Sequence, residues 1–130
     1  MTKLTPTERV TIQQKVALCR KKLTLVIADL KNIDMYWDEC DDARDAAAAA
    51  QYHWFGKDRI VLSLTWKDQL EDATPWVCHE LRHRYQHQMW GWLYPLLANR
   101  WWGWLTIEPT AYQVENECLE ILGMETGDAT

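Results

Sequence analysis

HELRH, residues 79–83, sits inside the run TPWVCHELRHRYQHQMWG, residues 74–91, and its reading decides the rest of the chain. Thr74 and Pro75 supply a helix N-cap and a residue suited to the first helical position, while Gly91 with Pro95 beyond it marks the end, so the spacing predicts one helix with the motif near its middle. On such a helix a four-residue step turns the chain about 400°, which leaves His79 and His83 roughly 40° apart on one face and about 6 Å apart in rise. Two imidazole nitrogens can then meet one ion. Glu80 is displaced from that face, too short to bind easily as a ligand but placed to hydrogen-bond a water that the ion carries, the position of a general base. The donor set suits zinc.

The rest of this helix is patterned on two sides. Val77, Cys78, Leu81, Tyr85 and Met89 form an apolar stripe, and His79, His83, His87, Trp76 and Trp90 gather nearly opposite. One side is expected to pack on a sheet and the other to face a cleft. His87 lies about 12 Å along the helix from His79 with no glycine between to turn the chain back, so it is read as a cleft-wall or surface residue and not as a ligand.

A catalytic zinc needs a third protein ligand and one open position. Residues 106–123 read as a second helix, with Thr106 as cap, Pro109 in the first turn, apolar Ala111, Val114, Cys118, Leu119, Ile121 and Leu122, and Gly123 as terminator. Glu108 and Glu115 share a face but stand more than about 10 Å apart in height, so only one reaches the ion. Glu108 is the choice, because small Ala111 one turn later lets the two helices approach; Tyr112 is then placed to hydrogen-bond a ligating imidazole. Glu115 stays open as the alternative third ligand, since Pro109 disfavours helical geometry at Glu108. Tyr94, Arg100 and Tyr112 are candidate donors to an oxyanion.

HELRH followed by EPTAY resembles the gluzincin zinc peptidases, in which HExxH precedes a glutamate on a second helix with a small residue three positions later. Size and element order are similar to the minigluzincins and to the peptidase domain of repressor-cleaving proteins of bacterial mobile elements. The resemblance covers roughly residues 33–122, and only its two motifs are specific. It implies one zinc ion held by His79, His83 and Glu108, with Glu80 as base, in a zincin-like metallopeptidase, an endopeptidase that takes an extended peptide along a sheet edge. The chain departs from the pattern at Tyr112, where the family commonly has a carboxylate that orients an imidazole.

Outward from the motifs, composition bounds the architecture. With 130 residues, 15.4 kDa and 48% hydrophobic residues, the chain can bury one core, so residues 1–130 are read as a single α+β domain. Thr5, Pro6 and Glu8 form a capping-box start, and Ile12, Val16, Cys19, Leu23, Ile27 and Leu30 recur at helical spacing, which predicts an N-terminal helix to about Leu30. Ile33, Met35 and Trp37 alternate with polar neighbours as in a half-buried strand. Residues 51–55 and 59–66 read as a hairpin around Gly56, Lys57 and Asp58, while Ala46 to Ala50 suit either helix or strand. A short, mainly antiparallel sheet of about three strands is expected.

Cys19, Cys40, Cys78 and Cys118 are scattered without CxxC pairing and read as reduced thiols. No signal peptide or membrane span is visible, so a cytoplasmic protein is expected. A net charge of −5 argues against a general nucleic-acid binder. Five of the nine tryptophans, Trp90, Trp92, Trp101, Trp102 and Trp104, crowd the connection between the two ligand helices. They read first as core packing; a substrate pocket or a hydrophobic partner surface over residues 90–104 is the alternative. The rival to a peptidase is therefore a zinc-stabilised interaction module without turnover.

Overall fold

The structure, a computed structural model, describes residues 2–38, 50–53, 59–94 and 105–124. Its class is α+β. Helix α1 (Pro6–Lys22) opens on a complete capping box: the Glu8 amide donates to Thr5 Oγ1 at 3.2 Å and the Thr5 amide donates to Glu8 Oε1 at 2.9 Å. It buries Ile12, Val16 and Cys19. The helix stops at Lys22, earlier than its apolar spacing suggests, and Leu23 is already extended at ψ 141°. The β-branched residues Thr24, Val26 and Ile27 would lose side-chain freedom in a helix. Here the chain runs along the next helix instead, with the Ala28 amide donating to Leu81 O at 3.1 Å and Arg82 Nη1 donating to Val26 O at 2.7 Å.

The sheet holds β1 (Thr2–Lys3), β2 (Asp34–Asp38), β3 (Ala50–His53) and β4 (Arg59–Ser63) in the order β1-β2-β4-β3. It is mixed: the outer pairings are antiparallel and the central β2–β4 pairing is parallel, with Met35 opposite Ile60 and Trp37 opposite Leu62. The sequence-based expectation of about three mainly antiparallel strands meets a mixed sheet: two of the three pairings are antiparallel, the central one is parallel, and the two-residue β1 adds a strand. Met35, Trp37, Ile60 and Leu62 point to one face and join the core. Central β4 buries Val61 and Ser63 as well, so it lacks the alternation of half-exposed β2. It also ends sooner than its apolar run, because Ser63 Oγ accepts from the Thr65 amide and starts a 3₁₀ turn over Leu64–Trp66. The expected turn at residues 56–58 lies outside the described residues, as do Ala46 to Ala49 and Cys40.

Helix α2 (Thr74–Trp90) carries HELRH. Thr74 is its first residue and not its cap: the Thr74 hydroxyl donates back to Glu71 O at 2.7 Å, and Ala73 holds the cap position. Gly91 ends the helix at φ 51°, a conformation open to glycine. Val77, Cys78 and Leu81 are fully buried in the main core, whereas His79, His83 and Gln86 are buried on another face. Met89 is 59% exposed, so the apolar stripe ends a turn earlier than expected.

Helix α3 (Glu108–Ile121) begins two residues after the threonine expected to cap it. Glu108 opens it and Pro109 follows within the first turn, where a missing amide hydrogen leaves no bond unmade. Among the described elements its packing on α2 is the most extensive, with fully buried Ala111 and Val114 on its inner side. One core of described residues runs through α1, the sheet, α2 and α3. No helix among the described residues is long and apolar enough to cross a membrane.

Candidate metal centre

His79 and His83, each 7% exposed, present their rings from one face of α2 with centroids 5.0 Å apart and planes crossed at 69°. Glu108 reaches both from the start of α3: its Oε1 lies 2.7 Å from His83 Nε2 and its Oε2 lies 3.4 Å from His79 Nε2. The opposite edges of the rings are engaged too. His79 Nδ1 meets Glu115 Oε1 at 3.0 Å, and His83 Nδ1 meets Gln86 Oε1 at 3.0 Å.

Gln86 fixes a tautomer. Its Nε2 donates to Ile107 O and to Thr110 Oγ1, both at 2.9 Å, so its Oε1 must be the atom that faces His83 and accepts the Nδ1 hydrogen. The carboxylate of Glu115 likewise accepts from His79 Nδ1. In the neutral rings both Nε2 lone pairs are then directed to the side where Glu108 stands. A tetrahedral zinc with ligand bonds near 2.0–2.1 Å spaces its donors by about 3.3 Å; the two Glu108 contacts, 2.7 and 3.4 Å, straddle that spacing. Two imidazoles and one carboxylate, each ring held from behind, are a donor set that fits zinc.

Electrostatics show the same demand for positive charge. Burial alone would lower the His79 imidazole, but hydrogen bonds to Glu108 and Glu115, with the charge of Glu80 nearby, raise it to about 10. Burial alone would raise Glu108, but the hydrogen bonds from His79 and His83 bring it down to about 2. In the metal-free protein a proton on His79 supplies the cation that these carboxylates need.

Glu80 is half-buried, with a carboxylate oxygen within 4.8 Å of ligand atoms on His79 and His83. Glu115, the alternative third ligand, stands against Nδ1 of His79 and so on the side of the ring away from Glu108; about 10 Å of helix rise separates the two acids. It occupies the role expected of Tyr112. The Tyr112 ring instead packs edge-on against His79 at 4.8 Å, 42% exposed. Burial, together with Glu108, Glu115 and Glu80, pushes its hydroxyl above the usual phenol range, so it stays a donor. Tyr94 is buried and stacks on His87 at 5.0 Å; burial and the charges of Glu80 and Glu108 push its hydroxyl up as well. Arg100 and most of the tryptophan-rich stretch, residues 95–104, lie outside the described residues.

Sequence reading missed Gln86 and Thr110. Gln86 lies three residues after His83, a spacing that brings side chains together on a helix, and that signal was available. Thr110 was not accessible in this way: it accepts from Gln86 and from Arg82 Nε at 3.3 Å, a junction that exists only once α2 and α3 have packed. Comparison of the chain with protein families, with curated proteins and with solved structures finds no match.

Proposed function

We propose that this chain is a zinc-dependent metallopeptidase, a zincin-like domain of the small gluzincin type that hydrolyses bonds within a peptide or protein substrate. The observation that carries the reading is the bridging position of Glu108, one oxygen toward each ring nitrogen, beside a half-buried Glu80. His79, His83 and Glu108 would hold the ion. Bound there, zinc polarises a carbonyl and lowers the pKa of a water toward neutrality.

The chain's own residues supply the rest. Glu80 accepts the proton of the attacking water and returns it to the departing amine. Glu115 and Gln86 keep the rings in one tautomer and orientation through the cycle. Tyr112, exposed beside His79 and protonated, is placed to donate to the developing oxyanion. Among the described strands β3 is an outer one and lies against α2, the edge on which an extended substrate would add. Reduced core thiols suit a cytoplasmic setting.

A second reading, a zinc-stabilised interaction module, is favoured by the exposure of Met89 and Leu105, which flank the tryptophan-rich stretch, and of Leu93 within it. Glu80→Gln separates the two. Metal content of the purified variant should stay at one zinc per chain while cleavage of a proteome-derived peptide library falls by about a hundredfold or more. Undiminished cleavage by Glu80→Gln, or wild-type protein that holds zinc and cuts nothing, sinks the peptidase.

A further inference from the structure

Three of the four cysteines meet at one point. Cys19 from the last turn of α1, Cys78 from α2 and Cys118 from α3 are each fully buried, and Cys118 Sγ lies 2.8 Å from Cys19 Sγ and 3.7 Å from Cys78 Sγ. All three sulfur atoms lie within 4.8 Å of one another. They come from positions up to 99 residues apart and from three different helices, so no local rule of sequence brings them together.

We propose that Cys19, Cys78 and Cys118 form a second metal site, a three-thiolate cradle for one soft monovalent ion of the copper(I) class. A planar trigonal ion with metal–sulfur bonds near 2.3 Å spaces its sulfurs by about 4 Å. The thiols therefore need to part by only about an ångström between Cys19 and Cys118. The choice of ion follows from what surrounds the trio. The core cluster it belongs to is apolar, and among the described residues no fourth cysteine, histidine or carboxylate joins the group. Structural zinc is almost always four-coordinate, whereas soft thiolates without a fourth donor select copper(I). A disulfide would use two of the thiols and leave the third idle; a trigonal ion uses all three.

Hydrogen bonds from Cys118 and Cys78 hold the Cys19 thiol well below the usual range, whereas the neighbouring sulfurs and burial push Cys78 and Cys118 up, so the ion has to displace the protons of those two. Loading releases thiol protons to solvent. The cradle adjoins the histidine centre through the chain, since Cys78 precedes His79 and Cys118 lies three residues after Glu115. An occupied cradle would staple α1 to both ligand-bearing helices. Nothing in this inference depends on peptidase activity.

The test uses the full chain, reduced, freed of metal and kept anaerobic. Copper(I) is offered from a colorimetric chelator, and X-ray absorption is recorded on the loaded protein. One copper per chain, bound through sulfur alone at about 2.3 Å, is the expected result. A chain with His79→Ala and His83→Ala should bind it unchanged, while Cys118→Ala should weaken it by about a hundredfold or more. Nitrogen or oxygen in the copper shell, no transfer from the chelator, or zinc taken up by the thiols in preference to copper overturns the proposal. Circular dichroism checks that Cys118→Ala still folds. If it does not, the absorption spectrum of the wild-type chain decides alone.

Discussion

The histidine centre and the thiol trio share two helices, α2 and α3, and take neighbouring residues from them, yet they are opposite environments. Cys78 and His79 are adjacent on α2 and so diverge by about 100° around the helix. One side chain enters an apolar core, where the sulfur atoms hydrogen-bond to one another. The other enters a pocket where each ring nitrogen has a partner: Glu108 for both Nε2 atoms, Glu115 and Gln86 for the two Nδ1 atoms. Helical periodicity alone thus sorts soft donors from borderline ones across a single pair of packed helices. The centre is polar and over-determined; the trio is apolar and held by packing.

The sharpest way to break the contrast is Glu108→Ala. It should remove stoichiometric zinc and abolish cleavage, while the thiols, on the other side of α2, keep their reactivity toward a thiol probe in denaturant and their protection without it. Loss of that protection would show that the two regions are one unit.

Glu115→Ala and Gln86→Ala should leave zinc bound but weaken it by roughly 10- to 100-fold, because each frees one ring to turn. Competition with a zinc chelator reads this directly. Complete loss of zinc in Glu115→Ala, with Glu108→Ala harmless, would reverse the roles given to the two acids.

A smaller effect is set by pH in the metal-free protein. The His79 imidazole is raised to about 10 in the fold from an ordinary 6.5, so its contribution is fully present below about 6.5 and is lost as pH climbs toward 10. Glu108 is lowered to about 2 from 4.5, so its contribution is present above 4.5 and is lost as pH falls toward 2. Thermal melts should therefore show a plateau between about 4.5 and 6.5 and a decline above it. Zinc should flatten the alkaline decline, since it displaces the proton. A melting temperature that rises from pH 7 to 9 without metal would contradict the arrangement.

Smallest is a control that should touch neither region. Thr5→Ala removes the hydroxyl that caps α1 and should cost about 1 kcal/mol in urea unfolding, with zinc affinity unchanged.

Much of the centre could be read in advance because its chemistry follows local rules. Four-residue spacing puts His79 and His83 on one face, and the seven-residue step from Glu108 to Glu115 allows only one of the acids near both Nε2 atoms. What was not legible needed tertiary contact. Glu115 serves His79 from the far side, a position visible only once α3 lies on α2. Thr74 carries the residue type of a cap but spends its hydroxyl on Glu71 O. The length of α1 was overread since apolar spacing persists past Lys22 while β-branched residues do not favour the helix. The parallel β2–β4 pair was hidden because direction depends on β3 taking the outer place first. The cysteines looked scattered because their meeting point has no signature in spacing.

One bond near the end of α3 bears on how the molecule is made. Glu117 accepts from the amide and hydroxyl of Thr24, 93 positions upstream. During synthesis the face of the HELRH helix that α3 covers stays open until α3 has left the ribosome. Closing so long a loop makes the final docking of α3 a late event, and the nascent chain before it a natural client for a chaperone.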